Sequence, residues 1–473
     1  MTKTILIAID SATWDLIEPL IDEGELPTFS DLIKNGVRSS LKSLRGFKSP
    51  ALWMSIATGK MPEKTGVIYF SNIFLDSKEF SFRKNLTSNL LINWPLRLGK
   101  KLSDLNYPSN HTLFLKKLYI YSMVKYGKVL EKFKLGGNYL ITSDLLQEKP
   151  IWEILSDEKI SCAVIGWLVT WPAYKINGIL VSERALESVK IAEETSEKFK
   201  IFGEGQSTYP SSIFDEISKY VLSPSLISRE EMSRFFINLN GNDLEDIRKK
   251  TFDKNNQLQF FSQLYRTDVF SINSGIHIKN KYAPDFLAVY LPGLDGVQHF
   301  FWRYHDSEKF HFIEASKEEI LKFSNTIKNY YKFLDQQIAK LIDGESNVII
   351  VSDHGMDAIP RMNYDVSSIR SGQHEDSPDG IFIIKGKNIK KNVRITNAHI
   401  LDIAPTLLYW LGKPICEDMD GKILTEVFEE DFLRSNPVQK KRYPKRKQTE
   451  GSDYSKEEED KIKERLNALG YLD

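Results

Sequence analysis

The sequence predicts an α/β protein built on a largely parallel sheet that helices cover on both faces. Short apolar runs that end in a polar residue are typical of buried strands, and they lie at residues 5–9, 162–165, 286–291 and 348–351. Helical patterns lie at 28–35, 316–343 and 400–410. Because strands and helices alternate, a doubly covered parallel sheet is expected. In such sheets the chemistry gathers beyond the carboxyl ends of the strands.

The composition is that of a soluble globular protein. The 473 residues include 64 Lys and Arg, 64 Asp and Glu, 41% hydrophobic residues and 2 cysteines. These values exclude intrinsic disorder, a collagen-like chain and a disulfide scaffold. The formal net charge of zero provides no global field for nucleic acid, which is therefore not an expected partner.

The expected location is the cytoplasm. The first apolar run is too short for a secretion signal, and no stretch of 18 or more apolar residues predicts a membrane span. Cys162 and Cys416 are far apart and have no CxxC partner, so a reducing compartment accounts for them.

Four segments are expected along the chain. A catalytic core comprises 1–70, 148–185 and 280–430, a basic aromatic-rich insertion comprises 71–147, a helical cap insertion comprises 186–279, and a basic linker with a C-terminal helix comprises 435–473. The tail helix is predicted from the capping box that starts at Ser455.

The basic insertion has two interpretations. Residues 83–134 contain eleven Lys and Arg against two acids, a local charge of +9, with Leu, Tyr and Trp between the charges. Such a segment is a solvated insertion packed on the core, or an interfacial surface for an anionic lipid or a polyanionic substrate. The second interpretation would place the protein at the periphery of a membrane.

Candidate metal ligands follow the predicted strands. Asp10 comes directly after the first apolar run, and Asp353 and His354 follow the run at 348–351. Asp295 and His299 are four residues apart and would share one face of a helix. His374 lies in a polar loop that contains glycine. One such Asp alone is more often a helix cap, but Asp and His side chains in this number indicate a metal site.

Ser49 is the candidate nucleophile. In Lys48-Ser49-Pro50 the serine is predicted as the N-cap of a helix, with the proline at the first helical position. The positive end of a helix dipole favours an alkoxide and an incoming phosphate. A serine is a poor nucleophile without a base or a metal. No Gly-x-Ser-x-Gly motif surrounds Ser49, so activation by a metal is the better hypothesis.

The ordered set of these motifs resembles the alkaline phosphatase superfamily, and within it the type I phosphodiesterase/nucleotide pyrophosphatase family. The similarity rests on Asp10, Ser49-Pro50 with Thr58-Gly59-Lys60-Met61-Pro62 nine residues on, Asp295-x-x-x-His299, Asp353-His354-Gly355 and Ser371-Gly-x-His374. It covers about residues 1–70, 148–185 and 280–425. The resemblance implies an alkaline-phosphatase-like three-layer sandwich.

The resemblance also implies a two-metal site. Asp10, Asp353 and His354 would hold one ion together with the Ser49 oxygen, and Asp295, His299 and His374 would hold the other. Mixed Asp and His ligation suits Zn²⁺ best, with Mn²⁺ and Fe²⁺ as alternatives. Two such ions would clamp the phosphate oxygens of an in-line displacement.

Three departures from the family pattern matter. The asparagine that the family places three residues after the nucleophile is Leu52 here, so the substrate must be held differently. Thr65 replaces the histidine of the family's His-Gly-Ile turn. Trp53 occupies the place of the arginine in the sulfatase signature, which argues against formylglycine chemistry.

The first functional hypothesis is a two-metal phosphohydrolase that forms a phosphoserine on a phosphodiester, pyrophosphate or related organophosphate. The substrate would be an organophosphate such as a nucleotide or a lipid-linked ester. The alternatives are a phosphotransferase or mutase on the same scaffold, in which an alcohol replaces water, and a non-catalytic binding protein that retains the fold. The sequence leaves the leaving group and the oligomeric state open.

Overall fold

A computed structural model describes most of the chain. The described residues are 3–68, 71–75, 84–85, 136–185, 207–249, 253, 255–310, 315–360, 369–374 and 377–446. Most of the basic insertion, part of the cap insertion and the tail helix from Ser455 lie outside them, so what we predict for these segments stays a prediction.

A single mixed sheet of ten strands organises the described residues. Its strands follow in space as Val393–Arg394, Val37–Lys42, Gly380–Lys385, Asn347–Val351, Thr4–Ile9, Phe286–Leu291, Cys162–Ile165, Gly178–Val181 and Thr208–Tyr209, with Ala398–His399 also paired to Val37–Lys42. The five strands from Asn347–Val351 to Gly178–Val181 run parallel to one another. The predicted α/β class with a largely parallel sheet is confirmed.

Smaller sheets and the helices complete the described structure. Short strands outside the main sheet are Ser71–Leu75, Lys84–Asn85, Gly136–Leu140, Asp357–Ala358, Gly372–Gln373, Ile415–Cys416 and Lys440–Lys441. The α-helices are Trp14–Asp22, Pro27–Lys34, Ser49–Thr58, Pro62–Thr65, Ile151–Asp157, Ile213–Ser218, Arg229–Met232, Gly241–Arg248, Gln257–Tyr282, Gly293–His305, Lys317–Phe323, Thr326–Leu341, Ile403–Trp410 and Glu430–Ser435. The 3₁₀ helices are Ser143–Leu145, Pro224–Leu226, Ser307–Phe310, Ile400–Asp402 and Thr425–Val427.

The central strand Thr4–Ile9 shows how the sheet divides the core. All six of its residues are buried, because helices cover both faces of the sheet. Ile5, Ile7 and Ile9 pack into the cluster that includes the helices Gln257–Tyr282 and Gly293–His305. Leu6 and Ala8 point the other way, to the cluster that includes the helix Ser49–Thr58. Alternate residues of a strand face opposite sides, so a continuous apolar run is what a doubly covered strand requires.

Several predicted elements differ in detail. The helical pattern at 316–343 forms two helices, Lys317–Phe323 and Thr326–Leu341, which Ser324 and Asn325 separate. Ser and Asn side chains compete with the helical backbone for hydrogen bonds, which favours such a break. The pattern at 400–410 begins as a 3₁₀ turn.

The helix Gln257–Tyr282 crosses the predicted boundary between the cap insertion and the core at 279–280. Its apolar side packs into the core of the sheet, and the domain bounds stay a prediction. Among the described helices, none combines the length and the apolar character needed to cross a bilayer.

Candidate active site

Three acidic residues meet at one edge of the sheet. Asp10, Asp295 and Asp353 follow the adjacent parallel strands Thr4–Ile9, Phe286–Leu291 and Asn347–Val351. The carboxyl ends of these strands lie side by side, so residues distant in sequence become neighbours. All three side chains are almost completely buried.

His354 joins two of these acids. Its Nε2 lies 3.7 Å from Asp10 Oδ1 and 3.3 Å from Asp353 Oδ2. Its other ring nitrogen, Nδ1, lies 3.0 Å from the carbonyl oxygen of Gly355. A carbonyl oxygen can only accept a hydrogen bond, so Nδ1 carries the proton and donates it. In the neutral ring Nε2 then has a lone pair, which points toward Asp10 and Asp353.

The helix Gly293–His305 carries the second predicted pair. Asp295 and His299 are one turn apart, as the spacing predicts, and His299 Nε2 lies 3.5 Å from Asp295 Oδ2. His299 Nδ1 donates to the carbonyl oxygen of Gly372 at 2.7 Å. This is the arrangement of a metal-binding histidine, in which a backbone carbonyl sets the tautomer and the other nitrogen faces the metal.

His374 completes the cluster. It follows the short strand Gly372–Gln373, and its ring is stacked on His354 at 4.4 Å between centroids, with His299 at 5.4 Å. Two groups of side chains each offer three ligand atoms, and within a group these atoms lie within 4.8 Å of one another. One group is Asp10, Asp353 and His354, and the other is Asp295, His354 and His374. The structure therefore brings the six predicted Asp and His ligands together. Their assignment to individual ions stays a prediction.

Two aromatic residues that the sequence analysis did not assign to the site orient Asp10. Trp53 Nε1 donates to Asp10 Oδ2 at 3.1 Å, and the Tyr290 hydroxyl donates to the same oxygen at 2.5 Å. The other oxygen, Oδ1, makes no hydrogen bond among the described residues. Tyr290 is the polar member of the buried strand FLAVYL, and that polarity is the signal in the sequence that could have identified it.

Ser11 and Gln298 were also missed. Ser11 has a φ of 68°, in the left-handed region, and its hydroxyl lies 3.3 Å from His354 Nδ1. The Gln298 side chain donates to the carbonyl oxygen of Ser11 at 2.9 Å. A non-glycine residue in this region costs roughly 1–3 kcal/mol and persists only where its surroundings impose it. The two residues tie the loop after Asp10 to the helix of Asp295.

Burial dominates the electrostatics of the cluster. Burial raises the pKa of Asp10 to about 7, and the charge of Asp295 adds to the rise. Burial and then the charge of Asp10 raise the pKa of Asp353 well above its usual range. Burial and the charge of Arg370 hold the pKa of His299 well below its usual range. Burial in the cluster thus disfavours the ionised form of the acids and the protonated form of the histidines. Bound cations would stabilise the ionised carboxylates.

Ser49 lies at the N-terminus of the buried helix Ser49–Thr58. Lys48 is the N-cap and Ser49 the first helical residue, so the prediction of Ser49 as the N-cap is wrong by one position. Pro50 takes the second position, because the extended backbone at Lys48 starts the helix one residue earlier. The Ser49 hydroxyl is buried and has no hydrogen-bond partner among the described residues.

These side chains fit a metal centre. Asp10 Oδ1, Asp353 Oδ2 and His354 Nε2 are buried and make no hydrogen bonds within the described part of the chain. Buried polar atoms normally have partners, and those without one call for an explanation such as a bound ion. Carboxylate oxygens and neutral imidazole nitrogens are ligands of divalent transition metals.

The chain is similar in sequence pattern and fold to known proteins. The sequence pattern of the family "Type I phosphodiesterase / nucleotide pyrophosphatase" matches residues 4–404. No curated protein matches the chain significantly. Human ectonucleotide pyrophosphatase/phosphodiesterase 5 is 11% identical over 90% of this chain and 100% of its own, with a TM-score of 0.44. The inactive murine enzyme in complex with AMP is 10% identical over 91% of this chain and 100% of its own, also at 0.44.

A third solved structure belongs to a bacterial enzyme. Phosphonoacetate hydrolase from Sinorhizobium meliloti 1021, in complex with phosphonoformate, is 13% identical over 76% of this chain and 57% of its own, with a TM-score of 0.36. The family match spans most of the chain and includes all seven predicted site residues. The chain therefore belongs to the type I phosphodiesterase/nucleotide pyrophosphatase family of enzymes.

Proposed function

We propose that the chain is a two-metal phosphohydrolase that cleaves a phosphodiester, pyrophosphate or related organophosphate through a phosphoserine at Ser49. The observation that supports this most is the cluster of buried ligand atoms at the ends of three adjacent strands. Asp10, Asp353 and His354 with Ser49 would hold one ion, and Asp295, His299 and His374 the other. Zn²⁺ suits this set best, and Mn²⁺ and Fe²⁺ are alternatives.

Activation of Ser49 distinguishes this proposal from a serine hydrolase with a general base. No described residue accepts a hydrogen bond from the Ser49 hydroxyl, so the arrangement lacks the serine–histidine pair of such enzymes. When bound, divalent ions would lower the pKa of the serine and neutralise charge on the phosphate. The helix Ser49–Thr58 adds the partial positive charge of its N-terminus.

The reaction has two displacements. In the first, the Ser49 hydroxyl loses its proton and its oxygen forms a bond to phosphorus while the bond from phosphorus to the leaving oxygen breaks, and the leaving group takes up a proton. In the second, a water molecule loses a proton and its oxygen forms a bond to phosphorus from the vacated side, while the bond from phosphorus to the Ser49 oxygen breaks and Ser49 takes up a proton. The chain holds the nucleophile at a rigid helix end and the acids on rigid strand ends, and such positioning can supply a large part of the barrier reduction.

Trapping the intermediate tests the proposal. Metal-supplemented protein is incubated with a panel of phosphate mono-, di- and pyrophosphate esters, quenched in acid and searched for phosphoserine by mass spectrometry. We expect Ser49 to carry the transferred phosphoryl group, as phosphate from a monoester and with the remaining substituent from a diester or pyrophosphate, and we expect Ser49→Ala to reduce turnover by about 10³-fold or more, because the covalent route is lost.

Ser55→Ala is the matched control. Ser55 lies on the same helix, and its buried hydroxyl also has no hydrogen-bond partner among the described residues. This variant should retain wild-type turnover and metal content. An active Ser49→Ala variant, or turnover without any phosphoserine, would contradict the covalent mechanism.

A further inference from the structure

A cavity of about 160 Å³ adjoins the candidate active site. Pro50, Tyr290 and Pro292 are part of its wall. Pro50 directly follows Ser49, Tyr290 donates to Asp10, and Pro292 precedes the helix of Asp295. The helix of Ser49, the strand whose Tyr290 bonds to Asp10, and the start of the helix of Asp295 therefore border this cavity. A group that leaves from a phosphate on Ser49 would have room there.

One side of the cavity is apolar. Ile141, Leu168 and Phe270 contribute to it. Gly166 packs closely against its neighbours in the wall, because a Cβ at this position would lie 3.3 Å from Ser271 Oγ and 3.6 Å from the carbonyl oxygen of Tyr290. The φ of Gly166 is +70°, which also favours glycine.

The other side is polar. The polar residues of the lining are Ser182, Glu183, Arg184, Thr267 and Ser271. Ser182 is 2% exposed, and its hydroxyl has no hydrogen-bond partner among the described residues. The carboxylate of Glu183 is held in place by Thr170, whose backbone N–H and hydroxyl both donate to Oε2. A buried hydroxyl without a partner costs free energy, which a bound ligand with hydroxyl groups would recover.

The size of the cavity limits the occupant. A water molecule occupies about 30 Å³ in the liquid, so the cavity has room for roughly five waters. Pockets for drug-sized ligands begin at about 300 Å³. The described walls therefore enclose room for a single small ring or a short chain, and a whole nucleoside or a long acyl chain would extend beyond them.

We propose that this cavity binds the leaving group and selects a small hydroxylated alcohol of the polyol or sugar type. The C–H faces of such a ring would pack against Phe270 while its hydroxyl groups bond to Ser182 and Glu183. A site built to bond a substrate hydroxyl discriminates strongly against the analogue that lacks it, because its own polar groups are then left unpaired. This inference rests on the proposed phosphohydrolase function.

Two matched esters test the selection. The methyl phosphodiesters of myo-inositol and of cyclohexanol share one ring and differ in the hydroxyl groups, and the released ring alcohol is measured by chromatography with metal-supplemented protein. We expect kcat/KM to be at least about tenfold higher for the inositol ester. The methyl phosphodiesters of adenosine and of octanol test the two larger leaving groups, which we expect to be cleaved more slowly.

Variants of the polar wall locate the effect. Ser182→Ala should lower the ratio of the two kcat/KM values by about 3- to 10-fold, the worth of one hydrogen bond. Thr267→Val is a second variant of the same wall, in case the first does not fold. Ser274→Ala is the control, since Ser274 is buried on the same helix as Thr267, has a hydroxyl without a hydrogen-bond partner among the described residues, and lies outside the cavity wall. This control should leave the ratio unchanged.

Binding of free myo-inositol separates this inference from the proposed function. Saturation-transfer NMR should show binding to the wild-type protein and weaker binding to Ser182→Ala. Equal or faster cleavage of the cyclohexyl, adenosyl or octyl ester would overturn the selection while the hydrolase function stands. If none of the esters is cleaved, the proposed function fails, and the NMR measurement alone then tests whether the cavity binds a polyol. Absence of inositol binding would overturn the inference.

Discussion

Asp10 receives two hydrogen bonds on one carboxylate oxygen, Oδ2, and none from the described residues on the other, Oδ1. Trp53 and Tyr290 hold Oδ2, so Oδ1 is directed toward His354. Trp53 comes from the helix that begins with Ser49, and Tyr290 from the strand that precedes Asp295. Their rings are in edge contact, with centroids 5.1 Å apart. The orientation of one predicted ligand is thereby linked to the helix of Ser49, the proposed nucleophile, and to the second predicted ligand set.

Removing one of these donors should weaken metal binding. We expect Tyr290→Phe to lower the affinity for Zn²⁺ by about 10-fold or more, because partners behind a ligand typically contribute 10–100-fold. Competition with a chromophoric chelator measures the affinity. Tyr409→Phe is the control, since the Tyr409 hydroxyl bonds to the carbonyl oxygen of Asn436, away from the site. Equal affinities in the wild type and Tyr290→Phe would show that Trp53 alone suffices.

At the scale of elements, the helix Gly293–His305 depends on its neighbour Gln257–Tyr282 for its position. Asp268 of the long helix accepts a hydrogen bond from the backbone N–H of Gly293 at 3.1 Å and from the Tyr330 hydroxyl at 2.8 Å. Gly293 is required there, because a Cβ would lie 2.1 Å from the Tyr330 oxygen. Asp268 thus fixes the start of the helix that carries Asp295 and His299.

Asp268 should make stability depend on pH. Burial raises its pKa to about 7, with a further rise from the charge of Asp10 and opposing hydrogen bonds from Tyr330 and Gly293. The folded state therefore retains this proton between about pH 4 and 7 while the unfolded state loses it. The stabilisation from protonated Asp268 is then present at low pH and is lost as pH rises toward 7.

Asp268→Asn should remove that dependence. The free energy of unfolding of metal-free wild type, measured in urea, should fall relative to the variant from pH 5 to pH 7 and then level off. The amide keeps the volume and the acceptor for Gly293, so the comparison isolates the proton. A constant difference between wild type and variant across this range would mean that Asp268 is ionised throughout.

At the scale of the whole molecule, the parallel sheet assembles the site from segments far apart in sequence. Asp10 and Asp353 are separated by 343 positions and lie at the ends of neighbouring strands. Ser49, the proposed nucleophile, comes from the opposite layer, because the helix Ser49–Thr58 packs on the other face of the sheet from Gly293–His305. The site therefore exists only in the folded molecule, and ligands that bind it should stabilise the fold.

Metal content tests this assembly. We expect about two divalent ions per chain by elemental analysis, and His299→Ala and His354→Ala should each lose one, because each removes a ligand of one predicted set. Chelation should lower the Tm, since ions that bind only the folded state stabilise it. His277→Ala is the control, since His277 pairs with Glu216 outside the site. A content of one ion or none after supplementation would contradict the two-metal arrangement.

Much of the fold could be predicted from local patterns. The run at 286–291 coincides with a strand, and the runs at 5–9 and 348–351 differ from theirs by one residue. Apolar side chains buried on both faces leave a continuous hydrophobic signal in the sequence. The predicted helix at 316–343 was less accurate, because the break at Ser324 and Asn325 depends on single polar residues.

Local patterns in the chain indicate which chemical groups are available: acids at strand ends, Asp295 and His299 one helical turn apart, and a serine at a helix start. These follow from local geometry, since strand ends and helical turns place neighbouring residues predictably. Tertiary packing brings Trp53 and Tyr290 to one oxygen of Asp10, places Asp268 at the start of the helix of Asp295, and forms a cavity with an apolar and a polar side next to Pro50. Such contacts join residues far apart in the chain, and their distances depend on how the layers pack, which no local pattern of residues encodes.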